Sequence, residues 1–130
     1  VICDDRDSSI PYRDRKPYQG VVERLRTMSD GWVRIILQTA RYMRQCKGNQ
    51  EAAHAAGFWE LSAWLDRYDV PYDELYFGKA SADIYPDDRG FALRSNNGGA
   101  DWDRLETLLA RVGRKTELDE PLSMTKEGAD

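Results

Sequence analysis

Histidine and cysteine are scarce in this chain of 130 residues, which contains one histidine and two cysteines. Cys3 and Cys46 are too few and too far apart to predict a disulfide framework or a zinc site, so we expect reduced thiols and a cytoplasmic protein. A basic excess is also lacking, because the net charge is −4. This argues against a nucleic-acid partner and against an anionic membrane surface. No apolar run approaches the length of a membrane span, and no signal-peptide pattern is present.

The balance of hydrophobic and charged residues is typical of one globular domain. Hydrophobic residues make up 41% of the chain and charged residues 32%, enough for a core inside a well-solvated surface. Strand-like apolar runs alternate with stretches of helical spacing, which predicts an α/β domain over 1–113. Residues 114–130 lack periodicity and are predicted to be a flexible tail. The predicted helices are 18–29, 53–68 and 101–112, and the predicted strands are 1–3, 32–38, 74–77, 82–86 and a short one at 91–93.

Polar side chains follow the predicted strands at the points where the strands end. Asp5 and Asp7 follow the opening apolar run, Thr39 ends the second strand, Lys79 follows the third, and Asp87 with Asp88 follows the fourth. The carboxyl ends of parallel strands open on the same edge of a sheet, where ligands bind in α/β folds. Clustered carboxylates there favour Mg²⁺ bound through oxygen, and a metal with a lysine and a hydroxyl can hold a phosphate. A carboxylate in such a site can attack phosphorus and form an aspartyl-phosphate.

Five segments in this order resemble the haloacid dehalogenase-like phosphatases, most closely the small capless members associated with capsule and sugar biosynthesis. They are ICDDRDSSI, KPYQGVVERL, ILQTARYMR, VPYDELYFGK and ADIYPDDRG, within about residues 1–95. The resemblance implies a three-layer fold with a central parallel sheet of strand order 3-2-1-4 and no cap domain. It also implies a Mg²⁺-dependent phosphatase acting on a small phosphorylated metabolite, such as a phosphosugar of polysaccharide or sugar-nucleotide biosynthesis. Selectivity would then come from loops 11–17 and 40–57, or from a neighbouring subunit of a homo-oligomer.

The resemblance assigns roles to individual residues at the positions that match. Asp5 is the expected nucleophile and Asp7 the general acid/base, while Thr39 and Lys79 would hold the phosphoryl group. Substrate contacts are expected at Ser9, the Ala40 amide, Arg41 and Arg44, and the expected Mg²⁺ ligands are Asp5, Asp7, Asp87 and Asp88.

Two charged residues beside the nucleophile position support a second interpretation. The family has apolar residues where this chain has Asp4 and Arg6, and a buried charge is costly unless it is paired. The chain could therefore be a catalytically impaired relative that serves binding or regulation. A response-regulator receiver fits less well, because it needs an aspartate at the end of a strand between the acid pair and the threonine. In this chain the threonine already ends the second predicted strand, and a second acid pair follows the lysine. The lone histidine, His54, is assigned no role.

Overall fold

The structure is a computed structural model that describes residues 2–3, 7–91 and 102–113. The chain divides into two compact units, Val1–Ala100 and Asp101–Asp130. In the first unit, a short 3-10 turn at Tyr12–Asp14 is followed by α1 (Val21–Asp30), β1 (Ile36–Thr39), α2 (Gln50–Arg67) and β2 (Glu74–Phe77). In the second unit, α3 spans Trp102–Gly113. The predicted helices and the strand at 74–77 are confirmed within a few residues, and the second predicted strand is shorter than expected.

The long helix α2 joins the two strands and supplies much of the core. The Asn49 side chain accepts a hydrogen bond from the Ala52 amide at 3.0 Å, which caps the helix start. Its buried positions recur at helical spacing and pack against β2 and the 3-10 turn. The buried apolar side chains of this unit are Tyr18, Val21, Val22, Leu25, Ile35, Met43, Ala53, Leu61, Trp64, Leu65, Val70 and Phe77.

The strands β1 and β2 pair in parallel, with Ile36 opposite Glu74 and Thr39 opposite Phe77. At the start of the pair, a side-chain oxygen of Asp73 accepts a hydrogen bond from the Ile35 amide at 2.7 Å. Both strands therefore end at the same edge of the sheet. This arrangement brings the residues after β1 next to the residues after β2.

The predicted three-layer fold with sheet order 3-2-1-4 is wrong. Within the described ranges the sheet has two strands, β1 and β2, accompanied by three α-helices. In the opening stretch, Cys3 forms an isolated antiparallel bridge with Pro17, and the Tyr18 amide donates to the Ile2 carbonyl at 2.9 Å. A run of three apolar residues is short for a central strand, and here it pairs with a proline-containing loop instead of the sheet.

The strand predicted at 82–86 is also absent from this part of the chain. The Tyr85 hydroxyl donates a hydrogen bond to the Ala80 carbonyl. It also accepts a hydrogen bond from the Ala82 amide at 3.2 Å. These contacts close 80–85 into a local loop, and Pro86 has no amide hydrogen to donate to a ladder. Phe91 is not in a strand, and residues 92–93 of the fifth predicted strand lie outside the described ranges.

None of the helices in the described ranges combines the length and apolar character needed to cross a bilayer.

Candidate functional site

Thr39 and Lys79 meet at the shared carboxyl edge of the two strands. The Lys79 amide donates to the Thr39 carbonyl at 3.2 Å, which continues the ladder one step beyond β2. Gly78 makes this step possible, since its φ of 109° lies in the region that favours glycine. A Cβ at Gly78 would also lie 2.5 Å from Cδ of Gln50, whose Nε2 donates to the Phe77 carbonyl at 2.9 Å. Local backbone geometry therefore fixes the point from which the lysine side chain leaves the sheet.

The segment after β1 turns immediately, and the threonine hydroxyl helps to shape the turn. Thr39 Oγ1 accepts a hydrogen bond from the Arg41 amide at 3.1 Å, and the Ala40 carbonyl accepts from the Met43 amide at 3.1 Å. The Met43 side chain is buried and anchors the turn to the core. Because the hydroxyl oxygen acts as acceptor here, its proton is available to a ligand oxygen.

A cleft of about 690 Å³ opens beside this edge and contains two of the predicted site residues, Lys79 and Asp87. Lys79 Nζ lies 4.4 Å from the centroid of the Tyr85 ring, a cation–π contact that orients the ammonium group. Asp87 Oδ1 accepts a hydrogen bond from the Arg89 amide at 2.8 Å, which leaves the second carboxylate oxygen for other contacts. The cleft is lined by Gln38, Gly78, Lys79, Ala80, Tyr85, Asp87, Gly90 and Phe91.

Among the residues that the structure describes, Asp87 is the one predicted acidic residue that lines the cleft. The Asp7 carboxylate accepts two bonds from Ser9, at 3.0 Å from the amide and 2.6 Å from the hydroxyl, in an exposed turn. Neither of these residues lines the cleft, and Asp88 does not line it either. Asp5, the predicted nucleophile and metal ligand, lies outside the described residues. Among the residues that the structure describes, no three Asp, Glu, His or Cys side chains form a group that could hold a metal ion.

The two predicted substrate-binding arginines have different surroundings. Arg44 is exposed, and one of its Nη atoms donates to the Ser81 hydroxyl at 3.4 Å, which connects the β1 turn to the loop after β2. Arg41 is half-buried, and its guanidinium carbon lies 4.3 Å from the centroid of the Tyr12 ring. The arginine side chains thus extend from the turn in two directions.

Tyr42, which was not predicted as a site residue, fixes the turn from the other side. Its backbone has φ 65°, an uncommon conformation for a residue with a bulky side chain. Its hydroxyl donates to Glu60 at 2.9 Å, and its ring lies against Gly57 of α2. Burial raises the pKa of Tyr42, and the hydrogen bond to Glu60 raises it further.

Tyr85 and Tyr42 were missed because their importance depends on long-range packing. Tyr85 falls in a stretch that alternation assigned to a strand, and Tyr42 has no sequence partner that would identify its contact with α2. Gly57 was the one available signal, since a glycine inside a long helical pattern often marks a close approach of another group.

Comparison with known proteins gives one informative match. No family model and no curated protein matches the chain. A Vibrio cholerae protein, known from a crystal structure as an MCSG target, is 30% identical, with 85% of this chain and 89% of that chain covered and a TM-score of 0.67. At this identity and coverage, the chain belongs to the same family as the Vibrio cholerae protein, and the two share a fold.

Proposed function

We propose that the protein is a Mg²⁺-dependent phosphatase that hydrolyses a small phosphorylated metabolite in the cytoplasm. The observation that carries the proposal is the parallel pairing of β1 and β2, which brings the backbone of Thr39 next to that of Lys79 at the sheet edge, while Lys79 and Asp87 line the adjacent cleft. A hydroxyl donor and an ammonium group at one sheet edge suit the oxygens of a phosphoryl group. The resemblance to haloacid dehalogenase-like phosphatases adds the nucleophile, Asp5, and suggests a phosphosugar as substrate.

The proposed reaction has two displacements at phosphorus. The Asp5 carboxylate forms a bond to phosphorus while the bond to the leaving oxygen breaks, and Asp7 gives that oxygen a proton. Asp7 then takes a proton from water as the water oxygen attacks phosphorus, and the Asp5–phosphorus bond breaks to release inorganic phosphate. Thr39 and Lys79 hold the equatorial oxygens through both steps.

The described residues alone do not form a complete Mg²⁺ site. Asp7, Asp87 and Asp88 do not form a three-ligand group, and the fourth proposed ligand, Asp5, is outside the described ranges. Mg²⁺ would neutralise charge on the phosphoryl oxygens, and it would be held by Asp5, Asp87, Asp88 and the backbone carbonyl of Asp7. Calorimetry with Mg²⁺ on the wild type and on Asp87→Asn measures this directly, and equal binding would remove Asp87 from the ligand set.

The main test is a screen of phosphorylated metabolites and an aryl phosphate, each with and without Mg²⁺. Wild-type turnover should depend on the metal, and Thr39→Val and Lys79→Met should each reduce kcat/KM by about a hundredfold, the usual scale for losing one donor to a developing charge. Lys47→Met is the matched control, because Lys47 is an exposed lysine in a turn outside the cleft. Unchanged turnover in Lys79→Met would contradict the proposed phosphate contact.

The acid pair has a separate test, because its two members should fail differently. Asp5→Asn should abolish turnover and leave substrate binding largely intact. Asp7→Asn should be impaired less with an aryl phosphate than with an alkyl phosphate, because an aryl oxide leaves without protonation. Mass spectrometry should detect covalent phosphate on the Asp7→Asn protein. Loss of activity in Asp4→Asn with full activity in Asp5→Asn would move the nucleophile by one residue.

A binding or regulatory role is the second candidate. The Asp7 carboxylate engages Ser9 in an exposed turn and does not line the cleft with Lys79, which favours a site that binds without turnover. Binding of a phosphorylated metabolite without hydrolysis, lost in Lys79→Met, would establish this function.

A further inference from the structure

Arg41 has a donor atom whose hydrogen-bonding capacity is unused. Its Nη1 is buried and has no hydrogen-bond partner among the residues that the structure describes. Its Nη2 lies 3.8 Å from Sγ of Cys3, a weak acceptor, and the guanidinium is stacked on Tyr12. Arg34, by contrast, pairs with Glu74 at 2.9 Å. A covered cationic donor without a partner is costly, so this arrangement is favoured by an anion that meets it.

The surroundings of Arg41 hold it in place before any ligand arrives. The edge of the Tyr42 ring meets the Tyr12 ring at a centroid distance of 5.9 Å, and Tyr42 is itself fixed by Glu60 and by its contact with Gly57. The guanidinium of Arg15 also lies over Tyr12, at 4.7 Å, and adds positive charge. A cation fixed in this way needs little reorganisation to bind an anion.

Arg41 is placed to contact a group other than the phosphate at Lys79. Its amide is bonded to the Thr39 hydroxyl, so it starts at the same sheet edge. Its side chain nevertheless extends to Tyr12 and Cys3, and neither Arg41 nor Tyr12 lines the cleft that contains Lys79 and Asp87. Two separate cationic positions flank Thr39. Arg41 as a whole is half-buried, whereas its Nη1 atom is covered.

We propose that Arg41 binds a second anionic group of the substrate, so that the substrate is a phosphate ester that also carries a carboxylate or a second phosphate. The proposal rests on the proposed phosphatase function for the first phosphate only. The planar guanidinium can form paired hydrogen bonds with either kind of anion.

The test compares substrates that differ only in the second anion. 3-Phosphoglycerate is paired with glycerol 3-phosphate for a carboxylate, and fructose 1,6-bisphosphate with fructose 6-phosphate for a second phosphate. The wild type should favour one doubly anionic member by about tenfold or more in kcat/KM, as expected for a charged hydrogen bond. Arg41→Gln should lose this preference, and Arg41→Lys should retain part of it. The pair that shows the preference identifies the anion.

Arg67→Gln is the matched control, because Arg67 also lies over a tyrosine ring, 5.5 Å from the centroid of Tyr68, at the end of α2. It should keep the full preference. Equal kcat/KM for both members of both pairs, or a preference that survives in Arg41→Gln, would overturn the proposal. If Arg41→Gln does not fold by circular dichroism, Arg41→Lys decides by the same criterion, a reduced preference supporting the proposal and a full one overturning it.

A binding measurement distinguishes failure of the proposed phosphatase function from failure of the proposed anion site. If the wild type hydrolyses none of the four compounds, their binding is measured by calorimetry. Binding of a doubly anionic compound that weakens about tenfold in Arg41→Gln, and not in Arg67→Gln, supports the anion site without the phosphatase. Equal binding by wild type and Arg41→Gln, or no binding at all, overturns the anion site.

Discussion

Replacing Gly57 by alanine should destabilise the protein, although alanine is the better helix former. A Cβ at this position would lie 2.6 and 2.7 Å from two carbons of the Tyr42 ring and 3.0 Å from a carbon of the Phe77 ring. Alanine gains about 1 kcal/mol of helix propensity over glycine. Overpacking a well-packed site costs about 1–3 kcal/mol, and a displaced Tyr42 hydroxyl loses about 0.5–1.5 kcal/mol with its bond to Glu60. The net expectation is a loss of about 0.5–3.5 kcal/mol in the free energy of unfolding.

The ring of Tyr42 has little freedom to avoid this clash, because its backbone and its hydroxyl are both fixed. Urea unfolding followed by tryptophan fluorescence measures the change. Ala56→Gly, at an exposed position of the same helix, isolates the propensity term and should cost about 1 kcal/mol. In a Tyr42→Ala background the sign should reverse, so that Gly57→Ala becomes neutral or stabilising. A stabilising effect of Gly57→Ala in the wild-type background would refute the reasoning.

Three further changes test other parts of the structure. Gly78→Ala should lower both stability and any phosphate turnover, because it forces a strained backbone directly before Lys79; equal melting temperature and kcat/KM would contradict this. Tyr42 has a raised pKa, chiefly from burial, so its contribution to stability is complete below about pH 10 and falls as pH rises toward the folded-state pKa. Unfolding measured between pH 8 and about 11 should therefore show a smaller alkaline loss in Tyr42→Phe than in the wild type. Trp64 is buried and its Nε1 donates to the Arg15 carbonyl at 2.7 Å, so Trp64→Phe should cost about 1–3 kcal/mol in urea unfolding, and a change within 0.5 kcal/mol would argue against that bond.

The sequence predicts the elements whose hydrophobic pattern is strong and local. Apolar residues at helical spacing located α1, α2 and α3, and an apolar run between Asp73 and Gly78 located β2. Thr39 and Lys79 were correctly expected at the ends of neighbouring parallel strands. These predictions succeed because helix periodicity and strand termination depend on residues that are close together in the chain.

The sheet itself could not be predicted from such patterns. The opening apolar run and the stretch at 82–86 both look like strands, but strand pairing depends on which backbone groups are available elsewhere in the chain. Cys3 pairs with Pro17 in an isolated bridge, and the Tyr85 hydroxyl donates a hydrogen bond to the Ala80 carbonyl within its own loop. Hydrophobic alternation shows only that a segment could be half-buried. Residues 81–90 are instead exposed, and the Tyr85 ring contacts Lys79 from within a loop.

The core, more than the polar residues, determines how Thr39 and Lys79 meet. Phe77 lies opposite Thr39 in the ladder and is 2% exposed, with the ring of His54 at a centroid distance of 5.4 Å. A slip of one residue in this pairing would turn Phe77 to the other face of the sheet, which the α2 contacts oppose. The bond between the Lys79 amide and the Thr39 carbonyl joins two half-buried residues and is worth about 1 kcal/mol. Burial of a phenylalanine side chain contributes about 1.5–3 kcal/mol, so apolar packing against α2 sets the register that assembles the candidate site.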